Sequence, residues 1–304
     1  MSNLPLPPAT RALGASGIEV SRMAWGMWRL TENGRTAAEA AKLVHAALDA
    51  GITFLDTADI YGFDGSAGFG DAEVLLGDVL AAEPGLRDKM VLATKGGILP
   101  PLPYDQSADY LRAAIDASLT RLKVDSVDLW QIHRPDILAH PQETARVLDD
   151  AMASGKIRSL GVSNFTMAQT AALNHFLGTK LVTTQPEISP LRIDCFENGE
   201  LDQAMMLGLT PMAWSPLGGG RLTAPENARE TAVAAALDVV AEAHGVSRTV
   251  AAYSWLMAHP AGIIPIIGSQ NAERIAEGAT ALTVRWTRTD WYAVLVAARG
   301  ERLP

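Results

Sequence analysis

Phe54-Leu55-Asp56-Thr57-Ala58-Asp59-Ile60-Tyr61-Gly62 is a short apolar run that ends in a carboxylate, with a phenol just beyond it. Ile52, Phe54 and Asp56 share one parity, so a strand over residues 52–56 points the acid the same way as two large apolar side chains. A carboxylate so placed is buried or nearly so and needs a cation. Two later runs repeat the arrangement: Val91, Ala93 and Lys95 share a parity within Met90 to Lys95, as do Leu129, Gln131 and His133 within Asp128 to His133. In each, the polar group lies at the C-terminal end. Catalytic groups at the C-terminal tips of successive parallel strands are what a closed α/β barrel produces.

The flanking sequence supplies the rest of such a barrel. Strand candidates run from Met23 to Trp28, through residues 52–56, from Val91, from near Val127, from Arg158 to Val162, Leu181 to Gln185, Thr210 to Trp214 and Ile263 to Ile267. Between the first two, Thr36 and Glu39 form a capping box for a helix with Ala40, Leu43, Val44, Ala47 and Leu48 on one face and Gly51 as its stop. A second helix carries Val74, Leu75 and Leu80 inward, and Ser107 caps a third with Leu111, Ile115, Leu119 and Leu122 at helical spacing. Further helices span His140 to Met152, Thr166 to Phe176, Leu201 to Leu207, Arg229 to His244 and Arg248 to His259, with terminal helices over Asn271 to Thr280 and Asp290 to Arg299. Near the start, Arg11 to Gly14 and Ile18 to Val20 flank the turn Ala15-Ser16-Gly17, a hairpin signature. The reading is one α/β domain over residues 1–304: a (β/α)8 TIM barrel with an N-terminal β-hairpin and extra C-terminal helices, residues 1–9 being a disordered or extended tail. An open doubly wound sheet is the alternative. Against it stand the absence of Gly-x-Gly-x-x-Gly between a first strand and helix, and of a Gly-x-x-x-x-Gly-Lys-Ser/Thr loop.

Composition narrows the partners. A chain of 304 residues with 48% hydrophobic content can bury a large core. Its net charge of −9 argues against nucleic-acid and anionic-membrane surfaces, which need clustered Lys and Arg. One cysteine, Cys195, excludes an internal disulfide and, having no metal-ligand spacing around it, reads as a packing or surface thiol. The opening segment lacks a basic stretch followed by an apolar core, and no apolar run reaches the roughly 20 residues of a membrane span, so a cytoplasmic location is expected.

If Asp56, Tyr61, Lys95 and His133 converge on one mouth, they form a proton-transfer set. A tyrosine with a reference pKa near 10 is a reluctant donor at neutral pH, and a neighbouring ammonium, Lys95, is expected to stabilise the phenolate and lower that pKa, easing the transfer. Asp56 keeps that lysine charged, and His133 can hydrogen-bond a substrate oxygen. Taken singly, each has a plainer reading: a core ion pair, an edge tyrosine, a satisfied core histidine. Gln131, Asp136 and His140 are read in that plainer way. Together, groups that can protonate a carbonyl oxygen, without a nucleophile or metal cluster, suit reduction by an external hydride donor, which implies a nicotinamide.

The chain resembles the aldo/keto reductases from Arg11 to about Ala298. The resemblance rests on Arg-x-Leu-Gly-x-Ser-Gly-Ile-x-Val-Ser, Phe-x-Asp-Thr-Ala-x-x-Tyr-Gly, Ala-Thr-Lys, Gln-Ile-His, Gly-Val-Ser-Asn-Phe and Trp-Ser-Pro-Leu-Gly-Gly-Gly, in that family's order. It implies a monomeric reductase of small carbonyl compounds using NADPH rather than NADH, with Asp56, Tyr61, Lys95 and His133 as the catalytic four and Tyr61 as general acid. By the same resemblance Gly26, Met27 and Trp28 border the cofactor, Trp28 doubling as a pocket wall or else packing on the barrel floor. Ser163, Asn164 and Gln185 hold the nicotinamide carboxamide and Trp214 stacks on its ring. Ser215, Pro216, Leu217, Gly218, Gly219 and Arg221 wrap the pyrophosphate, with Gly220 between them. Gly268, Ser269, Gln270, Asn271 and Arg274 hold the adenosine 2′-phosphate. Two departures bear on cofactor choice: Gly268 stands where many relatives have a basic residue, and Gly278 where they have an asparagine. The resemblance also admits a cofactor-binding regulatory module, like channel-associated relatives, and an unrelated phosphate-binding barrel such as an isomerase remains the third reading.

Overall fold

Eight parallel strands close on themselves in the order β10-β3-β4-β5-β6-β7-β8-β9 in the computed structural model, which describes residues 3–303. They are β3 (Ala24–Gly26), β4 (Phe54–Asp56), β5 (Val91–Gly96), β6 (Leu129–Ile132), β7 (Leu160–Ser163), β8 (Thr183–Gln185), β9 (Thr210–Ala213) and β10 (Ile264–Ile267). Most are shorter than the apolar runs that announce them, while β5 keeps the full six-residue length of its run. Phe54, Ala93, Leu129, Met212, Ile264 and Ile266 fill the interior together with Ala24. The parity reading therefore holds for Phe54 and fails for Ile52. Ile52 lies before β4 and packs in the outer core, its N–H donating to Ala47 O at the end of the preceding helix.

The hairpin β1 (Thr10–Ala12) and β2 (Glu19–Ser21) plugs the N-terminal end of the barrel, with Leu13, Ile18 and Val20 joining the interior cluster. Ser21 Oγ accepts from the N–H groups of Thr53 and Phe54 at 3.0 and 3.1 Å, which locks the plug to β4. Gly14 is needed at its tip. A Cβ there would sit 2.7 Å from Val182 while the backbone holds φ +53. The chain ahead of the hairpin is extended and tied down, since Asn3 bridges Thr287 and Leu4 N–H donates to Trp286 O. The first two residues of the expected tail lie outside the described residues.

The surrounding helices are α1 (Ala37–Asp49), α2 (Asp71–Ala82), α3 (Ala108–Leu122), α4 (Pro141–Ala153), α5 (Met167–Phe176), α6 (Glu200–Leu207), α7 (Ala228–His244), α8 (Arg248–Met257), α9 (Ala272–Ala279) and α10 (Arg288–Arg299). The Thr36–Glu39 capping box is present on α1, and Thr166 with Gln169 makes a second on α5. Helix α2 departs from its expected face: Val74 is exposed and Leu75 half-buried, while Ala72, Glu73, Leu76, Val79 and Leu80 point inward. An acidic residue occupies a core position there because Arg121 of α3 and Thr94 of β5 satisfy both its oxygens. Helix α10 is fastened to α8 by stacked indoles, Trp255 and Trp291, 4.9 Å apart at 13°, each donating its ring N–H to the other's carbonyl at 3.0 Å.

Beside that stack, His259 lies 5.1 Å from the ring of Phe196, and burial pushes its imidazole down to about 4. Its Nδ1 accepts from Ala261 N–H, so protonation breaks a hydrogen bond as well. The unfolded chain binds this proton near pH 6.5 and the folded chain resists it until about 4, so stability is intact above 6.5 and falls as pH drops through that window. Lowering the pH from 7 to 5 should remove roughly 1 kcal/mol through this residue, less than full linkage because the ring is partly exposed to screening solvent. Urea unfolding of the wild type and of His259→Gln at both pH values checks this. An equal pH slope in the two proteins contradicts it.

Candidate active site

The strand register places the polar tips at one end of the barrel. Lys95 of β5 is level with Gln131 of β6, and Gln131 with Gly161 of β7, while Asp56 of β4 sits beside Gly26 of β3. Lys95 is fully buried, and its Nζ donates to Asp56 Oδ2 at 2.6 Å and to Thr57 O at 2.8 Å. The other carboxylate oxygen, Oδ1, accepts from Gln185 Nε2 at 3.1 Å and from Gln131 Nε2 at 3.4 Å. Gln131, which the sequence reading sets aside, is thus part of the site's foundation. It fits because Gly161 has no side chain: a Cβ there would lie 1.9 Å from Thr183 Oγ1, the hydroxyl that holds Gln131 Oε1.

Tyr61 and His133 stand over this base. Lys95 Nζ is 4.9 Å from the Tyr61 ring centroid, and the Tyr61 and His133 rings meet edge to face at 5.7 Å and 79°. The four residues that the sequence singled out therefore converge. Burial works against the Lys95 ammonium, but Asp56 and Tyr61 more than compensate, so its pKa is raised and it stays charged. Tyr61 differs from expectation. Burial raises its pKa, and Lys95 offsets only part of the rise because Asp56 counters the lysine's charge. The phenol is therefore protonated at neutral pH, beside a charged ammonium able to stabilise a phenolate. Burial, then the charges of Lys95 and Arg134, hold His133 well below the usual imidazole range, so the ring is neutral.

A neutral imidazole carries one N–H. With that proton on Nε2, the buried and unpartnered Nδ1 is a bare acceptor, and the donor is left free for a substrate oxygen. Behind the site, Asp59 is fully buried and its carboxyl lies well above the ordinary range, first through burial and then through the charge of Glu73. Its N–H donates to Lys95 O at 2.9 Å, which ties the loop bearing Tyr61 to β5.

The residues assigned to the nicotinamide form one hydrogen-bonded chain. Trp214 Nε1 donates to Asn164 Oδ1 at 3.0 Å, Asn164 Nδ2 donates to Ser163 Oγ at 2.9 Å and to His133 O at 3.2 Å, and Ser163 Oγ donates to Gln185 O at 2.8 Å. Asn164 holds φ +59, in the left-handed region. Ser215, Pro216 and Leu217 lead into Gly218, Gly219 and Gly220, all with positive φ. Their N–H groups donate within the loop, to Ser215 O, Ser215 Oγ and Leu217 O, so the turn is held by its own bonds. Arg221 is not an unpaired cation, since its guanidinium donates to Gly218 O and pairs with Glu230 at 3.4 Å.

A Cβ at Gly219, Gly220 or Gly268 would meet nothing within 4 Å, so this border of the site is open for a large ligand to lie close to backbone. Gln270 Nε2 donates to Gly26 O, Trp25 Nε1 to Ser269 O, and Asn271 caps α9 by accepting from Arg274 N–H, leaving the Arg274 side chain exposed. Gly278 is set by packing, as a Cβ there would lie 2.6 Å from Ile267. Arg35, unremarked in the sequence, reaches Gln270 Oε1 at 3.5 Å. Met27 reaches the site only through its backbone, for its side chain is buried in the outer core. Trp28 is 65% exposed, which rules out packing on the barrel floor. His140 caps α4 and Asp136 accepts from Gln106 N–H, both scaffold roles. Among the described residues no His, Cys, Asp or Glu cluster could hold a metal, and no helix is long and apolar enough to cross a membrane.

Residues 22–295 match the aldo/keto reductase family. Over its whole length the chain is 84% identical to the whole of a 6-dehydroglucose reductase of Novosphingobium aromaticivorans. It is 40% identical to a protein of the same name from Agrobacterium fabrum, covering 94% of this chain and 97% of that one. A crystal structure of a thermostable aldo-keto reductase bound to the inhibitor epalrestat superposes with TM-score 0.82 at 24% identity, over 95% of this chain and 99% of that one, a likeness of fold.

Because Lys95 has no solvent contact, removing its counter-charge alone should be severe. Asp56→Leu is expected to destabilise the protein by about 3–5 kcal/mol, and Lys95→Met by a similar amount, while the double variant recovers much of the loss. Denaturant unfolding of the three variants measures this. Additive losses in the double variant would show that the pair is not coupled.

Proposed function

The chain belongs to the aldo/keto reductase family, and from that premise we propose that it is an NADPH-dependent reductase that converts an aldehyde to a primary alcohol with Tyr61 as general acid. The aldehyde we propose is 6-dehydroglucose, after the relative that is 84% identical over the full length of both chains. The convergence of Tyr61, Lys95, Asp56 and His133 carries the reaction type. The identity of the substrate rests on the names of the two relatives called 6-dehydroglucose reductase.

The reaction consumes one aldehyde, one hydride and one proton. A bound dihydronicotinamide supplies the hydride. Every other part falls to the chain. His133, neutral and with a free donor nitrogen, holds the carbonyl oxygen and fixes its approach to the phenol. Tyr61 gives its proton to that oxygen as negative charge develops there, and Lys95 stabilises the phenolate that remains. Asp56 holds Lys95 in place, and Gln185 and Gln131 hold Asp56. Asn164 Oδ1, which accepts only from Trp214, keeps a lone pair suited to a carboxamide N–H, and Trp214, fixed by Asn164, offers its face to a planar ring. The preference for NADPH is supported by Ser269 and Arg274 at the start of α9, where a phosphate gains from the helix N-terminus and a cation. We read the protein as a cytoplasmic monomer. Cys195, buried and hydrogen-bonded to Glu200 at 3.2 Å, is consistent with a reducing compartment.

Tyr61→Phe should lower kcat by roughly 10² to 10⁴ with NADPH affinity nearly intact, the range for loss of a general acid. Steady-state kinetics on aldehydes with a parallel fluorescence titration of NADPH measure both quantities, and an unchanged kcat under rate-limiting chemistry removes the role. Arg274→Ala should weaken NADPH far more than NADH. Equal weakening of the two would transfer the 2′-phosphate contact elsewhere.

A further inference from the structure

We propose that Arg134 forms a hydroxyl-reading subsite at the rim, one that gives the enzyme its selectivity for polyhydroxylated aldehydes. The inference rests on the reading of the site as an aldehyde reductase.

Arg134 directly follows His133, and its guanidinium carbon lies 6.0 Å from the Trp214 ring centroid. Its charge also acts on the neighbouring His133 imidazole, so the cation lies near the indole and within electrostatic reach of that ring. Its backbone does not wander: Arg134 O accepts from the buried Gln106 Nε2 at 2.7 Å, and Gln106 N–H is held by Asp136 at 3.1 Å. Next door, His133 O is held by Asn164. Among the described residues Arg134 makes no ion pair, whereas Arg121, Arg158 and Arg248 each hold a carboxylate. With no carboxylate partner among the described residues, in a chain of net charge −9, Arg134 has donors available for a ligand beside the Trp214 ring. Its planar fork matches two adjacent oxygen atoms. For an aldehyde whose carbonyl oxygen sits at Tyr61 and His133, hydroxyls on the following carbons that reach this fork would accept from it. Apolar aldehydes would leave the guanidinium without a partner.

The test compares wild type, Arg134→Ala and Arg134→Lys on D-glyceraldehyde, 6-dehydroglucose, benzaldehyde and glyoxylate, with NADPH affinity read by fluorescence. In Arg134→Ala the ratio of kcat/KM for D-glyceraldehyde to that for benzaldehyde should fall about 10 to 100-fold, the range of a charged hydrogen bond, mainly through KM. Arg134→Lys should lie between, having the charge without the fork. Equal losses on both aldehydes, or a weakened NADPH complex, would make Arg134 a support for Trp214 and overturn the proposal. A larger loss on glyoxylate than on glyceraldehyde would assign the cation to an anionic group, which also overturns it. Failure of the wild type to turn over 6-dehydroglucose bears on the proposed substrate alone, because glyceraldehyde still reports on Arg134.

Discussion

An ammonium group with no solvent contact is the constraint around which the mouth of this barrel is built. Isolated in an apolar interior, Lys95 would lose its proton, since the cost of burying the charge amounts to several kcal/mol. Asp56 at 2.6 Å and the Thr57 carbonyl prevent that. Asp56 is then itself a buried charge, and its free oxygen is met by amides from β6 and β8. Strands across the barrel from one another thus share one electrostatic arrangement.

That arrangement explains the division of labour above it. A bare lysine beside Tyr61 would depress the phenol strongly. A lysine already paired with Asp56 does not, and burial leaves the phenol protonated. The same burial, with cations on both sides, keeps His133 neutral. One apolar, cation-bearing pocket therefore sets a proton donor and an uncharged hydrogen-bonding ring in adjacent positions. The chain of bonds from Trp214 through Asn164 and Ser163 to Gln185 joins the expected cofactor surface to the same base. Asn164, in the left-handed region, is the corner of that chain and also holds the backbone of His133.

A second set of buried charges lies outside the barrel wall. Glu73 is satisfied by Arg121 and Thr94, and its charge helps keep the Asp59 carboxyl well above its ordinary range. This network sits under the loop that carries Tyr61. On α2 it puts an inward carboxylate, Glu73, where periodicity expects an apolar residue. Helical spacing predicts the buried faces of α1 and α3, because their inward positions are apolar apart from Ser118 and their caps are local. Thr36 with Glu39 and Ser107 need only their own next turn.

The sequence by itself determined the alternation of strands and helices, their caps, the hairpin and the placing of Asp56, Lys95 and His133 at strand tips. These follow from periodicities and hydrogen bonds that span a few residues. What it could not determine were partnerships between strands distant in the chain: Gln131 and Gln185 under Asp56, Gly161 making room for Gln131, Trp214 bonded to Asn164. Nor could it fix the direction of the Tyr61 shift, which depends on a balance between burial and two opposed charges. Only closure of the barrel brings those groups within hydrogen-bonding range, and only in that interior do their charges act at full strength.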